Sequence, residues 1–392
     1  MSMGIVLAGA ALEYYNYMMF TVMMPLIAPV FSGADKPLAA LTSGYLIIFL
    51  AALARPLGGL LIGYIGDKKG RGIALFWSLI VMAVASVSIA FLPSYAQVGM
   101  WAPVLLLICR MLQTMSAASE LNGSAIFLIE SLEGVRKRTT KGLASGLAWS
   151  FTVLGMLGGS IASYCSTGAN WKTPFLLGGV IGLFAISLRL LPKVAHGSSS
   201  SSKSKVEFNF ARSVTSSILI AAGISGMFYY NMIWIVGHLQ YKMDSLLVRQ
   251  FGMYYFAFYS VMLLISGIIS DYLKNMYKLM LSSVIVLAAL ALPTLYVQSL
   301  SLHFINIVLL ALYVGPSHAV LAQLFPREYR YRGVSITYSI GTSLIGGITP
   351  FICNYFSATY KYFPAFWLMF VVVLAFVGIF ISRKSLSQGL MN

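Results

Sequence analysis

The chain has 392 residues, of which 59% are hydrophobic and 9% charged, and its formal net charge is +16. Because a soluble domain carries roughly 25% charged residues, this chain has too little polar surface to cover a water-soluble body. Its apolar runs are long and continuous rather than alternating, which predicts an all-α membrane protein. No phosphate-binding loop or metal-ligand spacing is seen in the sequence, so we expect neither an enzyme nor a cofactor or metal site.

Twelve apolar segments follow one another along the chain, each long enough to cross a bilayer at about 20 residues. The first has no basic residues before it within Met1–Leu12, so we interpret it as a membrane span rather than a cleaved signal peptide. The predicted spans are 4–31, 41–66, 73–93, 101–131, 142–168, 173–192, 213–236, 248–272, 279–297, 303–323, 335–357 and 364–382.

One long polar interruption, residues 193–212, divides the spans six and six. It contains the serine run Gly197–Lys203, which is typical of a flexible linker. We therefore predict an amino-terminal bundle (1–192), a cytoplasmic linker and a carboxyl-terminal bundle (213–392). The halves resemble each other weakly, which predicts two pseudo-symmetric six-helix bundles with a site between them at mid-depth.

The basic residues are distributed unevenly between the predicted loops. The segments that we place in the cytoplasm hold 19 of the 26 Lys and Arg residues, and the opposite loops hold five. This asymmetry follows the positive-inside rule and predicts that both termini are cytoplasmic. It also explains the net charge without a nucleic-acid partner, so the expected partners are the lipid bilayer, a small-molecule substrate and protons.

A glycine-rich, charged stretch, Gly63–Arg71, follows the second span. It resembles the signature loop of the major facilitator superfamily, whose fold has twelve helices in two bundles. Physically, a carboxylate at the start of the next helix can meet a basic residue or the helix dipole. We therefore predict a cytoplasmic gate formed by Asp67 and Arg71, with Asp271 at the end of the eighth span as the repeat of Asp67.

Five further motifs resemble the metabolite–proton symporter family: Arg55–Gly59, Trp101–Arg110, Leu324–Pro326, Arg330–Gly333 and Gly346–Ile352. The resemblance implies a symporter of the bacterial inner membrane that takes up small zwitterions or organic acids with protons and functions as a monomer. The chain departs from the family pattern at Asn16, where the family has an aspartate. The repeat of the signature loop at Asp271 also lacks its arginine.

Ionisable groups inside a membrane segment cost a few kcal/mol each, so each needs a partner or a polar cavity. From a rise of about 1.5 Å per residue, Glu13 and Arg110 lie near mid-depth, and Arg55 and Glu120 lie closer to the cytoplasm. We predict a Glu13–Arg110 pair beside the substrate and an Arg55–Glu120 pair below it, with these four residues coupling transport to protons. The alternative is that the pairs only fix helix register. His318 is interpreted as a packing residue.

Aromatic residues cluster at three places that can face a cavity: Tyr14 to Tyr17, Phe228 to Trp234 and Tyr254 to Tyr259. Aromatic faces hold quaternary ammonium groups by cation–π contact, and an arginine can hold a carboxylate. The alternative is that these rings serve packing or the membrane interface. The predicted substrate-binding residues are Tyr14, Tyr15, Asn16, Arg110, Tyr229, Tyr230, Asn231 and Trp234.

The preferred hypothesis is proton-coupled uptake of a zwitterionic osmolyte or amino acid, such as proline or betaine, by alternating access. One alternative is a proton symporter of an organic acid of the ketoglutarate, citrate or shikimate type, which would need more than one available arginine. Another alternative is a membrane sensor that binds ligand without net transport.

Overall fold

The computed structural model describes residues 3–69, 71–118, 120–133, 140–166, 170–190, 209–239, 245–297, 300–327 and 329–389. The side chains of Asp67, Arg71 and Glu120 lie outside the described part. Most of the predicted linker, up to residue 208, also lies outside it, so the boundary between the halves stays a prediction. Within the described ranges the chain is helical apart from short turns.

The helices of the amino-terminal half are α1 Met3–Val22, α2 Met24–Phe31, α3 Pro37–Ala52, α4 Arg55–Lys69, α5 Arg71–Phe91, α6 Tyr95–Val98, α7 Trp101–Ser116, α8 Glu120–Glu133, α9 Lys141–Tyr164 and α10 Thr173–Leu190. The carboxyl-terminal half has α11 Phe210–Phe228, a π-helical segment Tyr229–Trp234, α12 Ile235–Leu239, α13 Ser245–Leu273, α14 Met276–Val297, α15 Leu300–Val314, α16 Ser317–Gln323, α17 Arg330–Gly341, a second π-helical segment Thr342–Gly346, α18 Thr349–Ser357 and α19 Phe363–Gly389.

These helices form twelve membrane segments within the described ranges: α1–α2, α3–α4, α5, α7–α8, α9, α10, α11–α12, α13, α14, α15–α16, α17–α18 and α19. Nine of them are long and apolar enough to cross a bilayer, and α5 and α10 contain shorter apolar stretches, Phe76–Phe91 and Thr173–Phe184. The all-α membrane fold predicted from the sequence is confirmed. The structure starts α11 three residues before the predicted carboxyl-terminal bundle, where the Asn209 side chain accepts a hydrogen bond from the Arg212 amide and caps the helix.

Several membrane segments are interrupted where a proline follows. Proline has no backbone N–H to donate, so a continuous helix is weakened at that point. The breaks precede Pro25, Pro56 and Pro350, and Pro316 lies in the turn between α15 and α16. Two of these breaks place polar residues at membrane depth, since Arg55 begins α4 and His318 lies in the first turn of α16.

The pairs of helices that pack together repeat after six membrane segments. In the amino-terminal half α1 packs on α9, α3 on α7, and α5 on α10. The corresponding segments of the second half pair in the same way, as α11 with α17, α13 with α15, and α14 with α19. The repeated packing supports the predicted pseudo-symmetry of the two bundles.

The two halves meet along two helix pairs, α9 with α13 and α3–α4 with α17–α18. We call the side on which α1 begins and α19 ends the terminal side, and the other the opposite side. Glycines bring α9 and α13 together on the terminal side. A Cβ at Gly267 would lie 2.5 Å from the Gly142 carbonyl oxygen and 3.1 Å from Gly146 Cα. This close packing of small residues holds the two halves against each other.

Substitution of Gly267 by alanine should lower the melting temperature of the purified protein by several degrees. The added methyl group meets backbone atoms that cannot move aside, and such overpacking costs about 1–3 kcal/mol. Gly59→Ala is the matched control, because a Cβ there meets nothing within 4 Å. Equal melting temperatures for the two variants would contradict the close approach of α9 and α13.

Candidate functional site

Two arginines lie buried near the centre of the molecule, Arg55 at the first position of α4 and Arg110 in α7. Their relative exposures are 2% and 1%. Because an isolated charge in a low-dielectric interior is costly, the hydrogen bonds of each guanidinium define what the site can accept.

Among the described residues, the groups that hold Arg55 are neutral. Its Nη2 donates hydrogen bonds to Tyr14 Oη at 3.1 Å and to the Ala117 carbonyl oxygen at 3.4 Å. Its guanidinium carbon lies 5.4 Å from the ring centre of Tyr17 and 6.0 Å from that of Tyr338. The charge is therefore stabilised by a hydroxyl, a carbonyl and two aromatic faces.

Arg110 has the same kind of surroundings. It donates to Gln113 Oε1 at 3.1 Å, to the Tyr17 carbonyl oxygen at 3.0 Å and to Thr21 Oγ1 at 3.2 Å. The guanidinium carbon lies 4.5 Å from the Tyr17 ring centre and 4.4 Å from that of Phe20. The Tyr17 ring therefore lies against both arginines, and it is the shared element of the site.

The predicted ion pair between Glu13 and Arg110 is not formed among the described contacts, since each hydrogen bond of Arg110 goes to a neutral oxygen. The positions of the residues along α1 explain why this pair does not form. Arg110 reaches α1 at Tyr17 and Thr21, one to two turns beyond Glu13 at about 1.5 Å per residue. Glu13 is buried at 1% exposure. The Arg55–Glu120 pair stays a prediction, because the Glu120 side chain lies outside the described part.

A hydrogen bond between two tyrosines joins the halves at the centre. Tyr17 Oη of α1 lies 2.7 Å from Tyr229 Oη of the π-helical segment. Tyr14 and Tyr229 are both among the predicted substrate-binding residues. Tyr14 contacts Arg55 directly, and Tyr229 is connected to the arginines through Tyr17. Tyr17 was one of the clustered aromatics but was not among the predicted binding residues, although the structure makes it the central one.

Two predicted binding residues of α1 face away from this centre. Tyr15 Oη donates to the Pro174 carbonyl oxygen at 3.4 Å, and Asn16 Nδ2 donates to the Gly178 carbonyl oxygen at 3.0 Å. Both carbonyls belong to α10, so these side chains fix packing inside the amino-terminal half. The helical period separates them, because consecutive residues of a helix point about 100° apart.

The remaining predicted binding residues follow Tyr229 in its segment. Tyr230 packs on Trp234 with ring centres 5.1 Å apart, and Trp234 stacks on His238 at 5.2 Å. Asn231 Nδ2 donates to the Met227 carbonyl oxygen of its own segment at 2.9 Å. The structure therefore brings Tyr229 of this group next to Tyr17 and places Tyr230 and Trp234 in a separate aromatic stack.

A second polar cluster joins the halves beside the arginines. The rings of Trp149, His318 and Tyr338 lie together, with centres 5.1, 5.5 and 6.4 Å apart. His318 Nε2 lies 3.0 Å from Asn122 Oδ1, and Trp149 Nε1 donates to Ser317 Oγ at 3.2 Å. Sequence analysis missed Trp149 and Tyr338, because single aromatic residues in apolar helices carry no recognisable pattern.

Asp271, predicted as part of a gate, joins the halves on the terminal side. Its carboxylate accepts hydrogen bonds from the backbone amides of Gly142 at 2.9 Å and Leu143 at 2.8 Å. These amides belong to the first turn of α9, where the helix dipole favours a negative charge. The contact across the halves is the one that a gating carboxylate needs. The side chains of Asp67 and Arg71 lie outside the described part, so their roles stay predictions.

Arg249, at the other end of α13, makes the complementary contact on the opposite side. It donates to the carbonyl oxygens of Ser163 and Ser166 at 3.0 and 2.5 Å, where α9 ends. A cation at a helix carboxyl end is favourable for the same reason that an anion is at the amino end. In the sequence, Arg249 is one of the five basic residues of the loops opposite the predicted cytoplasmic ones.

Charged contacts therefore hold the two halves together at both ends of α9. Next to Arg249 a small cavity of about 20 Å³ remains between the halves, lined by Thr21, Tyr45 and Ile233 among others. That volume holds about one water molecule.

The fold and the site define the class of this protein: a multi-pass membrane transporter built from two six-helix halves around a charged centre. The chain belongs to the Major Facilitator Superfamily, whose family model matches residues 6–315.

Individual relatives agree with this assignment. The chain is 26% identical to the proline/betaine transporter of Escherichia coli and 25% identical to that of Salmonella typhimurium, over 94% of this chain and 80% of each relative. Its fold is similar to the crystal structure of a D-xylose-proton symporter, with a TM-score of 0.76 at 12% identity over 97% of this chain and 96% of that one.

Replacing Asp271 by asparagine should loosen the terminal side. The variant keeps the shape of the side chain but loses the charge at the start of α9, a loss of about 1 kcal/mol that corresponds to roughly 5-fold faster local opening. We expect the amides at the start of α9, including Gly142 and Leu143, to exchange hydrogen for deuterium faster by that factor.

Glu130→Gln is the control for this measurement. The Glu130–Arg330 ion pair also joins the halves on the terminal side, at 3.2 Å, but its carboxylate is 46% exposed. Because exposed ion pairs contribute little, this variant should exchange at nearly the wild-type rate. Faster exchange in Glu130→Gln than in Asp271→Asn would contradict the assignment of Asp271 as the contact, called the Asp271 latch below, that holds the terminal side together.

Proposed function

We propose that the protein is a secondary active transporter that takes up a small zwitterion, of the proline or betaine type, together with protons. The observation that carries the proposal is the pair of buried guanidinium groups, Arg55 and Arg110, whose hydrogen bonds go to neutral oxygens. The relatives named proline/betaine transporter support the same substrate class.

The charge of the site favours a substrate with a carboxylate. Two arginines buried without a carboxylate among their described hydrogen-bond acceptors leave positive charge in the interior, and such charge is stabilised when an anion binds. A guanidinium offers paired N–H donors that match a carboxylate, and both Arg55 Nε and Arg110 Nε lack an acceptor among the described residues. The carboxyl end of a zwitterion would therefore bind at the arginines.

The other end of a zwitterion needs a place for a positive charge. The buried ring of Tyr338 lies 6.0 Å from the Arg55 guanidinium carbon, and it packs on the buried ring of Trp149 from the other half. Aromatic faces attract an ammonium group in a site from which water is excluded. A ligand bound to both halves would also favour the closed state, which is what transport by alternating access requires.

Glu13 is the residue to which we assign proton coupling. It is an acid buried in α1, directly before Tyr14, which binds Arg55, and one turn before Tyr17, whose carbonyl oxygen binds Arg110. A carboxyl group in such a place can exchange a proton when the halves open to one side. Glu120 and the two arginines keep their predicted supporting roles in this proposal.

One observation favours the organic acid alternative. This alternative needs a second available arginine, and the described hydrogen bonds of Arg55 go to the neutral oxygens of Tyr14 and Ala117. With both guanidinium groups able to accept an anion, a substrate with two carboxylates would fit the charge of the site as well.

The distribution of basic residues supports placing both termini, and hence the terminal side, in the cytoplasm. We assign the protein to the inner membrane of a bacterium, and each monomer contains a complete path between its halves. The Asp271 latch would then close the cytoplasmic side and the Arg249 contact the outer side.

Glu13→Gln should lower uptake driven by a pH gradient in proteoliposomes at least about 10-fold. Exchange of labelled for unlabelled substrate should continue. The amide preserves the shape of the side chain but cannot carry a proton. Glu130→Gln is the matched control and should accumulate substrate normally. Concentrative uptake by Glu13→Gln would show that the proton is carried elsewhere, and binding without any flux by the wild type would identify a sensor.

A thermal-shift screen of the purified protein should identify the substrate class, because a ligand that binds only the folded state stabilises it by about 2.7 kcal/mol at 100 times its Kd. We expect proline or betaine to raise the melting temperature and citrate and ketoglutarate to leave it unchanged. A shift with citrate or ketoglutarate alone would replace the zwitterion with the organic acid. Arg110→Gln should remove whichever shift the wild type gives.

A further inference from the structure

His318 is a buried residue at the contact between the two halves. It lies in the first turn of α16, directly after the Gly315–Pro316 turn, and its side chain is inaccessible to solvent. Its backbone amide donates to Ser145 Oγ of α9 at 3.1 Å. Both the backbone and the side chain of His318 are thus fixed by the amino-terminal half.

The hydrogen bonds around His318 determine which ring nitrogen carries the proton. Asn122 Nδ2 donates to the Ala118 carbonyl oxygen at 3.5 Å, which leaves Asn122 Oδ1 facing the imidazole. In this orientation of the amide the oxygen can only accept, so we assign the proton to His318 Nε2. In a neutral imidazole with Nε2–H, the lone pair is on Nδ1.

His318 Nδ1 is therefore a hydrogen-bond acceptor, and it has no partner among the described residues. An unsatisfied polar atom in a buried position is costly, and few such atoms are kept in native structures without a reason. The atom needs a donor, and the side chains around it are the rings of Trp149 and Tyr338, which are turned to it at 5.1 and 5.5 Å between centres.

Tyr338 connects this acceptor to the arginine site. Its ring contacts His318 and also lies 6.0 Å from the Arg55 guanidinium carbon. A small molecule with a carboxylate at Arg55 would therefore place its other end near the Trp149–His318–Tyr338 rings. At that end the site offers aromatic faces for a positive charge and one acceptor for a hydrogen-bond donor.

We propose that His318 Nδ1 accepts a hydrogen bond from an N–H group of the bound zwitterion, and that the site thereby selects primary and secondary ammonium substrates over quaternary ones. This inference rests on the proposed function and adds the substrate class. A quaternary ammonium has no N–H, so its binding leaves the Nδ1 lone pair unsatisfied. Loss of such a hydrogen bond to a buried group corresponds to roughly 10-fold weaker binding.

The test measures binding of proline, N-methylproline and N,N-dimethylproline to the full-length protein in detergent. These ligands share the ring and the carboxylate and carry two, one and no N–H groups on the charged nitrogen. We expect the wild type to bind the first two and to bind the third about 10-fold or more weakly. Counterflow in proteoliposomes should give the same order.

Two substitutions of His318 separate its hydrogen bonds. In His318→Gln the new side-chain amide would lie at the position of Nε2, so this variant keeps the bond to Asn122 and removes the acceptor at the δ position. His318→Asn keeps an acceptor near the δ position and loses the bond to Asn122. We expect the preference for N–H ligands to disappear in His318→Gln and to persist in His318→Asn.

His303→Phe is the matched control, since His303 is another buried histidine of the same membrane segment with an unpartnered Nδ1 among the described residues, and it lies at the opposite end. The His303→Phe variant should prefer ligands with an N–H group to the same extent as the wild type. If the wild type binds all three ligands equally, the inference is wrong and the zwitterion proposal stands. A preference that persists in His318→Gln reflects ligand size and also overturns the inference. Failure to bind any of the three overturns the proposed function together with it.

Discussion

Two positive charges buried in an apolar helical bundle are the constraint on which this structure depends. Arg55 and Arg110 are stabilised by carbonyl and hydroxyl oxygens and by aromatic faces, with the Tyr17 ring shared between them. Neutral acceptors and rings lower the cost of a buried cation without removing its charge. Among the described residues the centre therefore keeps its positive charge, and our proposal that a substrate carboxylate binds there rests on that charge.

The second constraint is the antiparallel contact of α9 with α13. Asp271 binds the amino end of α9, and Arg249, at the other end of α13, binds its carboxyl end. Each charge matches the sign of the helix dipole that it meets. Because the two contacts lie on opposite sides of the membrane, one can break while the other holds, which is the physical requirement for opening one side at a time.

Several features of the site follow from the sequence by simple physics. Burial of Arg55 and Arg110 could be predicted, because charges inside apolar segments must turn inward. Asp271 could be assigned to a contact between the halves from its position at the end of a repeated segment. The pairing of Glu13 with Arg110 was wrong by one to two turns, because counting residues along two separate helices ignores their tilt and offset. Tyr15 and Asn16 were assigned to the substrate although their carbonyl partners in α10 turn them away.

The sequence by itself determined the membrane environment, the twelve segments and the six-plus-six arrangement, because these depend on composition, segment length and the repeated order of polar interruptions. Only the tertiary structure decided which side chains meet. The Trp149–His318–Tyr338 cluster joins three helices from two halves, and the Tyr17–Tyr229 hydrogen bond spans 212 residues of sequence. Such contacts depend on the rotation of each helix about its axis, and uniformly apolar segments leave that rotation to packing.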